Sequence, residues 1–593
     1  MLRSTVQWRG FCGWAVVGAI ALTAFPVLGV AQSTPSLAPT REEIERAPPS
    51  GRAPQSRVVV EGELDRGPCA LANPEFAAVR LTLREVAFDG LRGISPDAMR
   101  GAYASLIGQE QPVSVVCDVR DRAAAILRDA GYIASVQVPE QSIADGRLRF
   151  NVVMAHLAQV RVRGDAGRSE KIIARYLKRL EQQPVFNRYD AERYLLLASD
   201  LPGYNVRLAL RPAGTTPGEV IGDVSVIRTP FAIDANVSNL SSRELGRWGG
   251  QARAQLFGLT GLGDVTTLGF FSTSDFHEQQ TLQLGHDFRV GAQGLAVSGA
   301  FNYSWARPDI KGVTDRIDAR TLFATGSLSY PFVRRQSHSV RGALGFDFIN
   351  QNVAVAGDPF TRDRLRVAFA RLGVDAISLD FTRPGFSVAE PVWRAVASVE
   401  LRHGLDIFDA SRRCGSACLA STRVPTSRIG ADPTAGIARA NFYGEFRPAP
   451  RVTFALDVRG QYSSKSLLSF EQFSAGNFNI GRGYDPGTLL GDRGIAASSE
   501  LRLGSVLPKS VRDLATEPYI FLDYARVSNE EGSFLPRGQR QLTSVGSGLR
   551  ATVRGFGVDA AVAVPLERTG FVNRHPGPRI LLSVTRRLWP WAG

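Results

Sequence analysis

Residues 473–494 read FSAGNFNIGRGYDPGTLLGDRG. Seven of these 22 residues, six glycines and one proline, are unfavourable in a helix interior. The segment separates two stretches that alternate apolar and polar residues as strands do, residues 451–463 and 495–507. A long glycine-rich connection between two strands is usually either functional or disordered. This stretch is therefore the first candidate for a functional loop.

Arg482 lies at the centre of this loop between two glycines, which allow the backbone to approach a wall closely. Its guanidinium then has room for a bidentate pair with a carboxylate, and Asp523 in the sequence FLDYA is the candidate partner. The alternative interpretation is an ordinary hairpin loop with a surface arginine. The candidate loop residues are Gly481, Arg482, Gly483 and Tyr484.

The chain has 593 residues, too many for one ordinary soluble domain, and a formal net charge of +14. Such a charge can indicate nucleic acid or an anionic surface as a partner. The basic residues, however, do not form blocks. They alternate with apolar residues through the C-terminal two-thirds, as a basic polar lining would. Nucleic acid is therefore not an expected partner.

Residues 1–31 have the pattern of a secretory signal peptide, with Arg3 and Arg9 before a mostly apolar stretch. Small residues at 29–31 predict cleavage ahead of Gln32, and an uncleaved membrane anchor is the alternative. Beyond this segment no stretch approaches the ~18 apolar residues of a spanning helix. An exported chain without such a helix is expected in the periplasm, outside the cell, or as a β-barrel in the outer membrane.

Four cysteines remain after removal of the signal peptide, and an even number in an exported chain predicts two disulfides. One bond would close a short loop between Cys414 and Cys418. The other would join Cys69 to Cys117 and clip the segment before the first folded module onto it. A metal site is the competing interpretation, but no histidine lies nearby.

Residues 229–593 read as strands throughout, and most are longer than the ~5–6 residues usual in soluble proteins. An even number of long strands fits a closed outer-membrane barrel, since lipid cannot satisfy a free strand edge. The sixteen predicted strands are 231–241, 247–258, 263–274, 277–288, 294–306, 318–333, 336–351, 364–380, 390–406, 436–448, 451–463, 495–507, 516–527, 541–553, 554–566 and 578–589.

Alternation also predicts which side chains face the lumen. Glu500 and Arg502 share one face of their strand, opposite two leucines. On the next strand Phe521, Asp523 and Ala525 share a face that we expect to point inward. The loop of residues 464–494 would then fold into the barrel, where Arg482 can meet Asp523.

Two α/β modules of similar plan precede the barrel, at residues 80–156 and 157–228. The first is predicted to have a strand at 81–88, helices at 98–107 and 118–130, and two further strands. The second has the same β-α-α-β-β order. Residues 32–79 are interpreted as a mostly flexible segment with one short helical possibility at 41–46.

The motifs resemble those of a known superfamily of outer-membrane transporters for polypeptide transport and barrel assembly. The sequence GRGY at 481–484 resembles its VRGY loop motif, and FLDYA at 521–525 resembles its F-x-D-x-G strand motif. Gly481 and Ala525 depart from these patterns, but both are small. EQFSAGN at 471–477, GLGD at 261–264 and GDRG at 491–494 are most similar to the two-partner-secretion branch, known as TpsB.

The resemblance implies POTRA modules that capture an unfolded exoprotein, a barrel lumen that passes it, and insertion by the barrel-assembly machinery into outer-membrane lipid. An N-terminal helix plugs the pore in some members, although the helical possibility here is short. The alternatives are an insertase for other outer-membrane proteins and a passive porin or receptor. The six histidines are scattered and no nucleophile or phosphate motif is present, so we expect neither catalysis nor a metal or other cofactor.

Overall fold

The structure, a computed structural model, describes most of the chain after the first 37 residues. The predicted signal peptide lies outside this part. Among the residues described, no helix is both long and apolar enough to cross a membrane. The described residues are 38–45, 60–61, 69–143, 145–213, 218–310, 313–380, 383–415, 418, 423–476, 479–510, 512–530, 540–568 and 576–590.

Short strands and helices alternate before residue 229. The strands are β1 (Val60–Glu61), β2 (Arg80–Thr82), β3 (Glu85–Asp89), β4 (Glu110–Pro112), β5 (Ala134–Gln137), β6 (Arg147–Met154), β7 (His156–Gly164), β8 (Tyr204–Pro212) and β9 (Glu219–Arg228). The α-helices are α1 (Arg41–Glu45), α2 (Val115–Asp129), α3 (Glu170–Glu181) and α4 (Arg188–Ser199).

The first module packs α2 against a three-stranded sheet of order β3-β6-β5. The predicted strand 81–88 is wrong in one respect, because it is divided into β2 and β3, which lie in different sheets. The division occurs at Leu83, which turns into the core and is fully buried. The predicted helix 98–107 is instead two 3-10 segments, Pro96–Ala102 and Ala104–Leu106. They are separated at Tyr103, whose backbone leaves the helical region.

The second module places α3 and α4 on a sheet of order β1-β8-β9-β7. Helix α4 begins after Asn187, whose side chain accepts a hydrogen bond from the Tyr189 backbone N–H at 2.9 Å and caps the first turn. Leu195 and Tyr176 are fully buried between the helices and the sheet. The backbone N–H of Arg188 donates to Gly131 O at 2.8 Å, so the two modules are also joined directly.

Sixteen antiparallel strands then close into a barrel, which confirms the predicted fold class. Burial alternates strictly along β24, as expected for one face toward the lumen and one toward lipid. β21 and β22 form a separate hairpin. The strands are β10 (Phe231–Ser238), β11 (Gly249–Phe257), β12 (Val265–Thr273), β13 (Gln279–Val290), β14 (Leu295–Ala306), β15 (Ile317–Arg334), β16 (His338–Val355), β17 (Asp358–Ile377), β18 (Trp393–Gly404), β19 (Gly436–Ala449), β20 (Val452–Ser463), β21 (Phe473–Ala475), β22 (Leu489–Gly491), β23 (Arg493–Leu503), β24 (Ala515–Ser528), β25 (Arg540–Val553), β26 (Phe556–Pro565) and β27 (Arg579–Trp589).

The second module contacts the turns at one end of the barrel, which the family resemblance predicts to be the periplasmic end. Asp200 forms a bidentate ion pair with Arg334, with both N–O distances at 2.7 Å. Arg168 donates to Leu259 O in the turn that contains the GLGD motif. Within this turn Asp264 accepts hydrogen bonds from the backbone N–H and the hydroxyl of Thr260, so the motif shapes a module contact.

Both predicted disulfides are present. Cys69 is bonded to Cys117 at the start of α2, and this bond clips the segment that precedes β2 onto the first module. Cys414 is bonded to Cys418 within one extracellular loop.

Candidate functional site

The connection between β20 and β23 folds from the extracellular rim into the barrel lumen. Its β21–β22 hairpin pairs Phe473 with Gly491. Ile480 and Tyr484 at the turn of this connection pack on wall residues that include Val527 and are almost completely buried. The base of the loop is fixed by Asp492, which accepts hydrogen bonds from the backbone of residues 467 and 530 and pairs with Arg428.

Arg482 and Asp523 form the bidentate ion pair that the sequence analysis predicted. Nε lies 3.0 Å from Oδ2 and Nη2 lies 2.8 Å from Oδ1. The backbone N–H groups of Gly481 and Arg482 also donate to Asp523 Oδ2, at 3.1 and 3.0 Å. Asp523 is completely buried, so one wall carboxylate holds both the side chain and the backbone of the loop.

Glu500 is a second carboxylate partner of Arg482, which sequence reasoning missed. Its Oε1 lies 2.6 Å from Arg482 Nη1, and Ser498 accepts from Nη2 at 3.0 Å. The guanidinium also lies over the Phe521 ring, 3.6 Å from its centroid. The sequence indicated only that Glu500 faces the lumen. Its partnership follows from strand register, because Glu500 and Phe521 are Cα partners across β23 and β24.

The charge of this site is balanced by more than one ion pair. Burial alone would lower the pKa of Arg482, but hydrogen bonds and charge from Asp523 and Glu500 raise that pKa above its ordinary value. Glu500 also binds Arg502 and Arg550, at 2.7 and 3.0 Å. Arg502, the second predicted lumenal residue, extends this network to Glu445 on β19 at 2.9 Å.

The two glycines beside Arg482 are required by close approach and by backbone conformation. Gly481 has a φ of +82°. A Cβ on Gly483 would lie 2.8 Å from Ser544 Cβ and 2.9 Å from the Pro565 nitrogen. The Tyr484 hydroxyl accepts a hydrogen bond from the backbone N–H of Glu567 at 2.8 Å. The loop tip therefore rests directly on β25 and β26.

Ala525 is fully buried and packs in the same cluster as Ile480 and Tyr484. This position therefore contacts the loop, although its side chain is larger than that of the motif glycine.

Helix α1 lies inside the barrel and coincides with the short helical possibility at 41–46, while its place in the lumen was not expected. Arg41 pairs with Asp347 on the wall at 3.2 Å and with Glu471 of the loop at 3.5 Å. Ile44 is fully buried among apolar residues that include Phe323 and Phe470. The helix is too short to be stable alone, and these contacts with the lumen supply its stability.

Glu471 joins α1, the loop and the wall. Arg402 and Arg439 on the wall bind its two carboxylate oxygens at 2.7 and 2.8 Å, and Arg41 shares Oε1 with Arg402. Burial would raise the pKa of Glu471, but these three guanidinium groups outweigh it and lower the pKa to about 2. The carboxylate is therefore charged at neutral pH, and the helix and the wall both bind the loop through it.

No group of metal-ligating side chains occurs among the described residues. The site is built to hold two chain segments inside a barrel, and its charged groups are used for positioning.

Comparison with known proteins identifies the kind of barrel. The pattern of the haemolysin secretion/activation protein family ShlB/FhaC/HecB matches residues 224–551, more than half of the chain. The chain belongs to this family. A ShlB-type POTRA domain matches residues 81–154, within the first module.

Relatives of known name agree with this assignment. The heme/hemopexin transporter protein HuxB of Haemophilus influenzae is 20% identical over 512 residues, which cover 83% of this chain and 84% of HuxB. CdiB from Escherichia coli has a similar structure, with a TM-score of 0.70 and 17% identity over 89% of this chain and 94% of CdiB. CdiB from Acinetobacter baumannii gives a TM-score of 0.62 and 16% identity over the same shares.

The transporter is thus a TpsB protein of two-partner secretion, located in the outer membrane with its POTRA modules in the periplasm. Its partner is a secreted exoprotein, and its family is one of transporters rather than enzymes.

Proposed function

We propose that the transporter captures one unfolded exoprotein with its POTRA modules and passes it through the barrel lumen as an extended chain. The observation that carries this proposal is the loop tip held on the inner wall by Arg482, Asp523 and Glu500. A loop fixed at this point leaves a defined lumenal path once α1 has moved. The protein has no catalytic role in this mechanism, and folding of the client outside supplies the free energy.

Capture is proposed to use sheet edges, since an edge strand presents unpaired backbone groups to which an extended client can add. In the first module β3 and β5 are the edge strands. In the second module β1 already pairs with two residues of β8, Leu208 and Ala209. The other edge strand of the second module is β7, so both modules offer an edge to which a client can add.

Entry into the barrel is supported by a cavity of about 410 Å³ between the second module and the periplasmic mouth. Tyr176 of α3 and the lumenal residues Arg289 and Arg341 line it. Its polar lining suits a hydrated, extended polypeptide. We also propose that the barrel-assembly machinery inserts the transporter through its last strand, which ends at Trp589.

The test is export of the co-expressed exoprotein by Arg482→Ala and Asp523→Ala variants. Arg482→Ala leaves the completely buried Asp523 carboxylate without its counter-charge, which costs about 3–5 kcal/mol. Asp523→Ala removes the bidentate partner of Arg482 and leaves Glu500 as its carboxylate partner. Both variants are expected to abolish secretion, measured as exoprotein in the medium. Barrel insertion, measured by heat-modifiable mobility on gels, should remain mostly intact.

Arg253→Ala is the matched control. Arg253 on β11 pairs with Asp234 on β10 at 3.0 Å. No ion pair joins either side chain to the described residues of the loop. This variant removes a lumenal arginine of the same type and should secrete normally. Normal secretion by Arg482→Ala and Asp523→Ala would contradict the proposed role of the pair.

A further inference from the structure

The outer surface of the barrel carries a row of polar residues near the extracellular rim. Arg320 on β15, Asn352 on β16 and Arg362 on β17 are consecutive Cα partners, and all three are exposed. Trp305 on β14 is the Cα partner of Arg320 on its other side. We call Arg320, Asn352 and Arg362 the outer arginine row.

Burial shows that this row faces away from the lumen. Successive residues of a strand point to opposite faces. Ala319 and Val353, the neighbours of Arg320 and Asn352 in sequence, are buried toward the interior. Asp363, next to Arg362, is also buried. The three side chains of the row therefore project outward, toward the membrane or its surface.

The residues below the row place it at the level of the lipid headgroups. Eight residues closer to the periplasm, Leu328 and its Cα partner Leu344 also face outward and are 52% and 65% exposed. Eight residues correspond to roughly 20 Å along the axis of a tilted barrel, within an apolar band about 25 Å tall. Trp305, 42% exposed beside Arg320, is the kind of residue that occupies the interface.

Neither arginine of the row forms an ion pair in the part of the chain that the structure describes. Asp318, two residues before Arg320, pairs with Arg307 and Arg316 instead. The outward arginines below them differ. Arg364 pairs with Asp409, and Arg366 is buried over the Phe348 ring with its N–H groups bonded to carbonyl oxygens. Among the described outward arginines compared on these strands, only those of the outer arginine row therefore have a guanidinium free to bind an anion.

We propose that the outer arginine row binds the phosphate groups of a phosphorylated glycolipid in the outer leaflet. The two arginines are two strand spacings apart, roughly 10 Å, and the asparagine between them can donate a hydrogen bond. Arginine is suited to bidentate recognition of phosphate. A lipid is favoured over a soluble phosphate because the site opens sideways at headgroup level, beside a residue of the interface.

The experiment measures binding of lipid A carrying two phosphates to the full-length transporter in detergent, by native mass spectrometry. Relative to the wild-type protein, Arg320→Gln/Arg362→Gln is expected to weaken binding at least tenfold. Lipid A stripped of phosphate should bind the wild-type protein equally weakly. Inorganic phosphate at millimolar concentration should not displace the lipid.

Arg526→Gln is the matched control, because Arg526 is also an exposed arginine near the extracellular end of its strand. Its Cα partners are Ile495 and Gln541, so no second arginine lies beside it in register. This variant should bind lipid A within twofold of the wild-type protein. Unchanged binding by the double variant, or displacement by inorganic phosphate, would overturn the proposal.

Discussion

Asp523 holds both the side chain and the backbone of the loop tip. It accepts from the Arg482 side chain and from two backbone N–H groups, and Ser544 lies 3.4 Å from the same carboxylate. Glu500, in contrast, divides its charge among Arg482, Arg502 and Arg550. The two carboxylates of the site are therefore not equivalent.

This difference gives a prediction for conservative variants. Glu500→Gln should lower secretion by about two- to tenfold, because Arg482 keeps its bidentate partner. Asp523→Asn should lower it more than tenfold, because the buried guanidinium then loses its principal counter-charge. The measurement is exoprotein in the medium at equal barrel content.

Asp559→Asn serves as the control, since Asp559 pairs with Arg550 but not with Arg482 and is 41% exposed. Its secretion should lie within about twofold of the wild-type level. An equal loss of secretion in Glu500→Gln and Asp523→Asn would show that the two carboxylates contribute equally.

At this scale the sequence indicated the Arg482–Asp523 contact, because motif and alternation both place the two groups in the lumen. It did not indicate the contact with Glu500. That contact depends on how β23 and β24 are paired, and alternation within a single strand does not determine pairing between strands.

Among the elements, α1 is the one whose binding site the sequence did not indicate. Its five residues, REEIE, include a single apolar side chain and would not form a stable helix in water. Its partners Asp347 and Glu471 are more than 300 positions away in sequence. No local pattern could therefore reveal where the helix binds.

Arg41→Ala is predicted to release α1 from the wall and increase the current through single transporters in planar bilayers. The reason is that Arg41 supplies the ion pairs from the helix to Asp347 and Glu471. Glu45→Gln removes only the pair within the helix and should leave the current nearly unchanged. An Arg41→Ala current equal to that of the wild-type protein would contradict this role.

At the scale of the whole molecule, the barrel is sealed where its first and last strands meet. Asn236 on β10 donates to Ser583 Oγ and Thr585 Oγ1 on β27, at 2.9 and 2.8 Å. Asn239 donates to Ile580 O at 2.9 Å beyond the end of the strand. Side chains thus reinforce the seam, which favours passage through the lumen over sideways opening.

A disulfide across this seam tests whether secretion requires the first and last strands to separate. Ser238 and Ser583 are Cα partners, and Ser238→Cys/Ser583→Cys should secrete the exoprotein at the wild-type level after oxidation. Each single cysteine variant and the reduced double variant are the controls. Loss of secretion only in the oxidised form would show that the seam must open.

The barrel was predictable from sequence to a greater extent than the first module. Sixteen long alternating strands leave little freedom, because a closed barrel needs every edge paired. In the first module the alternation of residues 81–88 continues across Leu83, where the chain changes sheets. The packing of Leu83 into the core therefore divides a segment that alternation alone predicts to be one strand.

The pairing of β1 with β8 limits how far α1 can travel. Val60 is held beside Leu208 of the second module, and fourteen residues, 46–59, connect it to the end of the helix. Fully stretched, such a connection reaches about 50 Å. While β1 stays paired, a helix displaced by an incoming client remains tethered within this distance of the second module. It can therefore rebind in the pore once that client has left.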